Sequence, residues 1–361
     1  MARIDELLRT LKETGGSDLH LAAGLEPRIR AKGSISPVPG WAVLSHSELE
    51  HMLHEISLEK HWQTFEAERD LDFAYGLPGV ARFRANYFWQ QNGLGAVFRV
   101  IPEKILTLDD LKLPPVVSTL AHLEQGLVLV TGPTGSGKST SLAAVINAIN
   151  EQHAKHIVTI EDPIEFVHPN KRCVFSQREV GRHTESFASA LRAAIREDAN
   201  VVLVGEMRDL ETISMAITAA EMGVLVFGTL HTNSAIKTID RLIDVFPAEQ
   251  QAQVRLSLSE SLVAVVSQLL LKTADGKGRC AVNEILIRTP GLANLIREGN
   301  NSMIMSLIQG GKAIGMQTMD DALMKLVKEG RVRVEDAWQK ATDKTPFERL
   351  MNDKPGGALH G

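Results

Sequence analysis

The chain has 361 residues, an apolar fraction of 44% and a net charge of −5 at pH 7. This length is sufficient for two domains and this composition for a buried core, while the mixed charges give no support for a nucleic-acid partner. Cys173 and Cys280 form no C-x-x-C pair, so we expect a reducing compartment and no zinc. The sequence contains neither an apolar run of about 18 residues nor an apolar signal core, which predicts a soluble cytoplasmic protein.

Helix and strand patterns alternate in the first hundred residues. Ile4, Leu7, Leu8 and Leu11 recur at helical spacing and predict an amphipathic helix. The predicted elements are a helix over 4–13, a β-rich region from Ser17, a helix from Ser45 or Ser47 to about Phe65, and strands near 70–76, 80–89 and 94–101. We therefore expect a small α+β domain at 1–100, followed by a proline-containing linker at 101–116.

The strand near 80–89 carries arginines on one face. Arg82 and Arg84 alternate with apolar residues, and Arg99 lies on the next predicted strand. Two interpretations fit this pattern: a solvated arginine face, or a cationic face presented to phosphate groups.

The stretch Gly126–Thr140, GLVLVTGPTGSGKST, is the most informative part of the chain. Its apolar start predicts a buried strand, a glycine-rich turn follows, and an amphipathic helix begins at about Lys138. This is G-x-x-x-x-G-K-[ST] in its strand–loop–helix context, a phosphate-binding loop (P-loop). Lys138 suits the β and γ phosphates of a nucleoside triphosphate, and the Ser139 hydroxyl suits Mg²⁺. The predicted nucleotide-binding residues are Gly132, Pro133, Thr134, Gly135, Ser136, Gly137, Lys138, Ser139 and Thr140.

Beyond the loop, apolar runs alternate with helical stretches, which predicts an α/β domain around a mostly parallel sheet. We assign this domain to 117–345 and expect a disordered tail at 346–361. The predicted strands are near 156–161, 172–176, 201–205, 224–230 and 281–288. The predicted helices are near 138–151, 184–197, 209–222, 233–244, 248–270, 291–298 and 316–329.

Acidic residues and a histidine follow three of the predicted strands. Glu206 has the position of a Walker B acid, although the usual magnesium-associated aspartate would stand at Gly205. Glu206 is suited to hold Mg²⁺ through water or to polarise the attacking water. Near 161–165, a second acidic cluster is either solvated surface or part of a magnesium and water environment, and we count Asp162 among the candidate metal ligands. The members of this cluster are Glu161, Asp162 and Glu165.

His231 ends a further predicted strand, beside hydroxyl and amide groups. A single histidine at such a position is either structural or able to sense the γ-phosphate or to carry a hydrogen bond between subunits.

Several long motifs in the same order resemble the type IV pilus retraction ATPases, the PilT family of the secretion ATPase superfamily. The motifs are GPTGSGKST at 132–140, TIEDPIEFVH at 159–168, SQREVG at 176–181, VGEMRDLETI at 204–213, FGTLHTNSAIKTIDRLIDVFP at 227–247 and GMQTMD at 315–320. The resemblance implies an N-terminal PAS-like domain, a C-terminal RecA-like ATPase domain and assembly as a homo-hexamer. It further implies ATP and Mg²⁺ as cofactors, and hydrolysis that drives pilus retraction and twitching motility.

The resemblance also assigns roles to individual residues. The Asp box falls on Glu161, Asp162 and Glu165, the Walker B on Gly205 and Glu206, and the second histidine of the His box on His231. Arginines that reach the nucleotide correspond best to Arg82, Arg84 and Arg99. The implied partners are an inner-membrane platform protein and, indirectly, pilin, which would place the chain peripherally at the inner membrane.

The sequence departs from the family pattern at two places. The first histidine of the His box is replaced by Val224, and a segment at 291–298 matches only the second half of the AIRNLIRE motif of retraction enzymes. These departures leave two alternatives to a retraction motor. One is an accessory paralogue with weak turnover, and the other is a scaffold in which the bound nucleotide only controls the shape of the assembly. The sequence also leaves open whether Glu165 or Glu206 is the general base.

Overall fold

The computed structural model describes residues 2–31, 33–102 and 104–352. The chain divides into two compact units. The first unit comprises Met1–Lys104 together with Asp162–Val167, and the second comprises Ile105–Glu161 and the described part of His168–Gly361. The chain passes between the units after Lys104, inside the segment predicted as a linker. The return of 162–167 to the first unit was not predicted from the sequence.

The first unit contains a six-stranded antiparallel sheet with strand order β3-β2-β1-β6-β5-β4. Its strands are β1 (Asp18–Ala22), β2 (Arg28–Ala31), β3 (Ser34–Pro37), β4 (Asp70–Leu77), β5 (Ala81–Gln90) and β6 (Gly93–Ile101). Its helices are α1 (Arg3–Glu13), α2 (His46–Glu55) and α3 (Glu59–Glu68). The single helix predicted up to about Phe65 is wrong: α2 ends before Ile56, and α3 begins only at Glu59.

One face of this sheet forms the core of the first unit, and the apolar periodicity of the sequence explains why. Ile4, Leu7, Leu8 and Leu11 of α1 are fully buried, as the helical spacing predicts. Alternate residues of β5, including Phe83 and Tyr87, are also fully buried. Arg82, Arg84 and Asn86 alternate with these residues and point to the other face of the sheet.

The second unit contains a seven-stranded sheet with strand order β13-β12-β7-β11-β10-β8-β9. Only the β12–β13 pair is antiparallel. The strands are β7 (Gly126–Thr131), β8 (His156–Glu161), β9 (Val174–Glu179), β10 (Val201–Val204), β11 (Leu225–Leu230), β12 (Leu262–Lys272) and β13 (Arg279–Ile287). Strands β7, β10 and β11 are buried along their whole length, as expected of a parallel sheet covered by helices on both faces.

The helices of the second unit pack around this sheet in two large apolar clusters. They are α4 (Leu108–Leu111), α5 (Pro115–Thr119), α6 (Lys138–Gln152), α7 (Phe187–Arg196), α8 (Leu210–Glu221), α9 (Ala235–Asp244), α10 (Ala248–Ser261), α11 (Pro290–Glu298), α12 (Ile304–Gly310), α13 (Met319–Lys328), α14 (Val334–Lys340) and α15 (Thr345–Asn352). The predicted fold class, an α+β domain followed by an α/β domain with a mostly parallel sheet, is confirmed. In the described part of the chain no helix is long and apolar enough to span a membrane.

Two predictions for the second unit need correction. The helix predicted over 248–270 ends at Ser261, and the apolar run after it forms β12. At the other end, the first residues of the predicted disordered tail form α15 instead, because Phe347 is buried (1% exposed) in a small cluster with α13 and α14. The rest of that predicted tail, 353–361, lies outside the described residues.

Candidate functional site

The P-loop connects β7 to α6, and its backbone requires glycine at three positions. Gly132, Gly135 and Gly137 have φ values of 144°, 78° and 84°, which L-amino acids with a Cβ rarely adopt. At Gly132 there is also no room for a side chain, because an added Cβ would lie 2.2 Å from the carbonyl oxygen of Gln268. The loop is therefore held against β12 at close range.

Side chains at the start of α6 complete the loop. Lys138 is buried (9% exposed), and its Nζ donates to the carbonyl oxygens of Gly132 at 2.8 Å and Pro133 at 3.3 Å. Ser139 and Thr140 are half-buried in the first helical turn, where the helix N-terminus favours anions. The arrangement offers backbone N–H groups, the Lys138 ammonium and the Ser139 hydroxyl to a polyphosphate and its cation.

The order of the strands places the predicted catalytic groups along one edge of the sheet. β7 lies beside β11, β11 beside β10, and β10 beside β8, and all four strands are parallel. Their carboxyl ends therefore face the same edge, the usual ligand site of such sheets. The P-loop follows β7, His231 follows β11, Glu206 follows β10, and Glu161 ends β8.

Glu206 forms the centre of a cluster at this edge. Its Oε1 lies 2.9 Å from Nε2 of His231, and its Oε2 accepts a 2.6 Å hydrogen bond from Arg208 Nη2. Arg208 also donates through Nε to Oε1. Partial burial alone would raise the pKa of Glu206, but the charge and hydrogen bonds of Arg208 and the adjacent His231 outweigh it and hold the pKa below its ordinary value. Glu206 is therefore ionised at neutral pH and oriented by two cationic or polar neighbours.

The geometry explains why the Walker B segment has glycine where an aspartate is usual. Gly205 N donates to Ile160 O at 2.8 Å, and Thr229 donates its hydroxyl to Gly205 O. An added Cβ at Gly205 would lie 3.1 Å from Ile160 O and 3.3 Å from the Cα of Glu161. A side chain at this position would therefore be tightly packed, and the neighbouring strand would have to give by a few tenths of an ångström.

Glu161 is the member of the acidic cluster that lies in the second unit. It is buried (9% exposed) and its Oε1 accepts a hydrogen bond from the Thr159 hydroxyl at 2.7 Å and a long one from Gln177 at 3.4 Å. Glu161 is thus not solvated surface. Asp162 and Glu165 instead belong to the first unit, so the three carboxylates do not form one cluster within either unit.

The three predicted arginines lie on the outer face of the first unit's sheet. Arg84 stands directly opposite Arg99 in the β5–β6 register, and Arg82 stands opposite Ile101. Arg84 donates through Nε to both carboxylate oxygens of Asp72, at 3.1 and 3.0 Å. The hydrogen bond to Asp72, and further the charges of Asp72, Glu165 and Asp162, raise the pKa of Arg84 against the opposing effect of burial.

Arg99 and Arg82 have different surroundings. Arg99 is 69% exposed and donates through Nε to Asp18 Oδ1 at 2.8 Å. Burial opposes ionisation of Asp18, but the Ser17 hydroxyl and Arg99 outweigh it and lower its pKa. Arg82 lines an open pocket of about 530 Å³ that includes Val167 at its border. The face is therefore cationic but neutralised in part by carboxylates of its own unit.

The candidate metal ligands are not assembled as a preformed cluster. In residues 2–31, 33–102 and 104–352, no group of three or more His, Cys, Asp or Glu side chains is arranged to hold a metal ion. Of the predicted ligands, Ser139 and Glu206 belong to the second unit and Asp162 to the first. The oxygen donors of Ser139 and Glu206 are nevertheless of the kind that Mg²⁺ prefers.

Two residues of this site were missed by the sequence analysis. Arg208 follows Glu206 by two positions, and its proximity to a Walker B acid was a usable signal. Gln268 donates to the P-loop carbonyl of Ser136 at 2.6 Å, but no sequence signal indicated it because it lies in β12, which was predicted as helix.

Val224 lies at the far end of β11 from His231. The strand spans Leu225–Leu230, so seven residues at about 3.3 Å each separate the two positions by roughly 23 Å. Val224 is 8% exposed and packs in the main apolar cluster of the unit. Its replacement of a histidine therefore leaves the groups around Glu206 unchanged.

The loop, the parallel strands and the acid–histidine cluster define a P-loop nucleotide-binding protein. The chain belongs to the family of type II/IV secretion system proteins, which it matches over residues 79–277. The resemblance inferred from the motifs is thereby confirmed.

Individual relatives agree with this assignment over nearly the whole chain. The chain is 52% identical over 338 residues, 94% of its length and 98% of the relative's, to the type IV pilus retractation ATPase PilT of Pseudomonas aeruginosa. It is 41% identical to the type IV pilus ATPase PilU of the same organism, over 92% of this chain and 87% of the relative. The crystal structure of the pilus retraction motor PilT with bound ADP superposes with a TM-score of 0.89 at 45% identity, covering 97% of this chain and 100% of that one.

Proposed function

We propose that this protein is an ATP-hydrolysing motor that powers the retraction of type IV pili. The observation that carries the proposal is the common edge of β7, β11 and β10, where the P-loop, His231 and Glu206 follow neighbouring parallel strands. A nucleotide on the loop would have its terminal phosphate toward this edge. The 52% identity to the type IV pilus retractation ATPase PilT supports the retraction motor.

Each group has a chemical task in this proposal. Lys138 neutralises the β and γ phosphates, and the backbone N–H groups of the loop bind their oxygens. Ser139 and Glu206 would hold Mg²⁺, and the ion would supply charge neutralisation at the phosphates. Glu206, ionised and fixed by Arg208 and His231, orients and polarises the attacking water. Since Glu206 follows a strand at the same sheet edge as the P-loop, we favour Glu206 over Glu165 for this task.

We further propose that the working form is a homo-hexamer in which the arginine face of one copy acts on a nucleotide held by another. Arg84 and Arg99 are adjacent across β5 and β6, a spacing suited to a polyphosphate. Each would have to exchange its carboxylate partner, Asp72 or Asp18, for phosphate oxygens. The hexamer would act in the cytoplasm at the inner membrane, on a platform protein of the pilus machine and through it on pilin.

The first test is ATP turnover by the purified full-length protein. Lys138→Ala should abolish nucleotide binding, and Glu206→Gln should lower kcat by about 10²-fold or more while ADP binding persists. Glu221→Gln is the matched control, because Glu221 is an exposed glutamate of α8 outside the site. Absence of turnover by the unmodified protein in every assembly state would overturn the motor and favour the accessory paralogue.

The second test is retraction in cells that lack their own retraction ATPase and receive this gene. We expect the unmodified gene to restore twitching motility and Glu206→Gln to fail. If Glu206→Gln restores motility fully, the protein acts as a nucleotide-controlled scaffold and hydrolysis is not its task.

A further inference from the structure

The C-terminal segment 315–320, GMQTMD, has no role in the mechanism above, yet it is attached to the sheet. Gln317 pairs with Ile285 of β13 through two backbone hydrogen bonds of 2.9 and 3.2 Å. Its side-chain Nε2 donates to the carbonyl oxygen of Asn283 at 2.7 Å. The segment therefore contacts β13 through both its backbone and its side chain.

The residue that Gln317 contacts is itself part of a buried polar chain. Asn283 is 1% exposed and stands opposite Gln268 in the β12–β13 register. Its Nδ2 donates to Gln268 Oε1 at 3.0 Å. Neighbours directly opposite on antiparallel strands share one face of the sheet, so this contact follows from the register.

Gln268 connects this chain to the P-loop. Its side chain is buried (1% exposed), and its Nε2 donates to the carbonyl oxygen of Ser136 at 2.6 Å. Its Oε1 also accepts from the Ser141 hydroxyl of α6 at 2.9 Å. One carboxamide thus binds the loop and the helix that follows it, the two parts whose N–H groups must converge on phosphate.

We propose that Gln268 is a positioning residue for the P-loop, and that segment 315–320 controls nucleotide affinity through Gln317, Asn283 and Gln268. The inference rests on the proposed nucleotide binding but does not require hydrolysis. A shift of Gln317 moves Asn283, and the carboxamide of Gln268 transfers this shift to Ser136. Buried hydrogen bonds are costly to leave unmade, so these four groups move together.

The test measures binding of a fluorescent ADP derivative to the full-length protein. Gln268→Met keeps the length of the side chain but removes its hydrogen bonds, and should raise the Kd about tenfold, as expected for about one lost net hydrogen bond. Gln317→Met, farther away and half-buried, should raise it about threefold. The double variant should bind no more weakly than Gln268→Met alone, because both act through one chain of contacts.

Gln251→Met is the matched control. Gln251 is also a half-buried glutamine of the second unit that donates to a backbone carbonyl, that of Phe246 at 3.1 Å, but it has no connection to the P-loop. The Kd of Gln251→Met for ADP should stay within about twofold of that of the unmodified protein, a smaller change than the loss of one hydrogen bond would cause. Two results would refute the proposed chain of contacts from Gln317 through Asn283 and Gln268 to Ser136, called the relay below. One is a Kd of Gln317→Met that matches this control; the other is additive effects of Gln268→Met and Gln317→Met on the Kd.

Two further readouts separate the possible failures. If Gln268→Met does not fold, as judged by its unfolding midpoint, Gln317→Met alone decides between the relay and its absence. ADP binding by a protein without ATP turnover would refute the motor but leave this test intact. Normal turnover with an unchanged Kd in Gln317→Met would refute the relay and leave the motor intact.

Discussion

Replacing Gly132 by alanine tests whether the close approach of the P-loop to β12 determines the stability of the second unit. Its φ of 144° imposes about 1–3 kcal/mol of strain on alanine. The added Cβ would lie 2.2 Å from the carbonyl oxygen of Gln268, so the loop and β12 must separate by about 1 Å to reach ordinary contact. Overpacking of this kind costs about 1–3 kcal/mol, and together the two effects predict a loss of about 2–6 kcal/mol.

Gly135→Ala is the control within the same loop. Gly135 also has a positive φ, 78°, but an added Cβ would meet no atom within 4 Å. Alanine there should cost only about 1 kcal/mol of backbone strain. Both glycines therefore have a positive φ, but only at Gly132 would an added Cβ clash with a neighbouring atom.

The measurement is amide hydrogen exchange of β7 and β12 without nucleotide, which reports the opening free energy of these strands. Urea unfolding followed by circular dichroism gives the independent check. We expect Gly132→Ala to lose at least about 1 kcal/mol more than Gly135→Ala, and up to about 5 kcal/mol more. Equal losses for the two variants would refute the reasoning, since the backbone strain alone would then account for both.

Two further predictions concern titration and charge pairing. Burial, and then the charge of Lys171, lower the pKa of His168 to about 4. The unfolded chain therefore binds more protons than the folded chain between pH 4 and 6.5. The free energy of unfolding should fall by about 3 kcal/mol as the pH drops through this window. His168→Phe should flatten this dependence in urea unfolding, whereas replacing the exposed His51 by asparagine should not. Asp72→Asn should change the free energy of unfolding by less than about 1 kcal/mol, because the side chains of its ion pair are well exposed, 34% for Asp72 and 44% for Arg84. The control is Asp70→Asn. A loss more than about 2 kcal/mol above that of the control would contradict this prediction.

The sequence predicted those parts of the site whose chemistry is local. The P-loop is a contiguous motif, so Gly132 and Lys138 were assigned correctly to the strand–loop–helix junction. The partners of the arginines were not predicted, because Asp72 and Asp18 are brought to Arg84 and Arg99 only by pairing of the strands. Strand register depends on the whole sheet, and a single segment carries little information about it.

The misassigned strand β12 has a similar physical cause. Its apolar run is buried on both faces over most of its length, so it lacks the alternation that marks a half-buried strand. It also follows α10 directly: Ser261 ends the helix, Leu262 begins the strand, and neither glycine nor proline marks the junction. This error hid Gln268, since a residue predicted on a helix could not be placed opposite Asn283 or behind the P-loop.

The position of Val224 also depends on whether its segment is a helix or a strand. Within the sequence motif it lies seven positions from His231, a spacing that on a helix would place both on one face about 10 Å apart. On β11 the same spacing separates them by roughly 23 Å, and Val224 contributes to a cleft with Gln125 and Asn200 at the amino-terminal edge of the sheet. A histidine at this position in relatives would therefore act at that edge, and its loss here weakens neither Glu206 nor the P-loop.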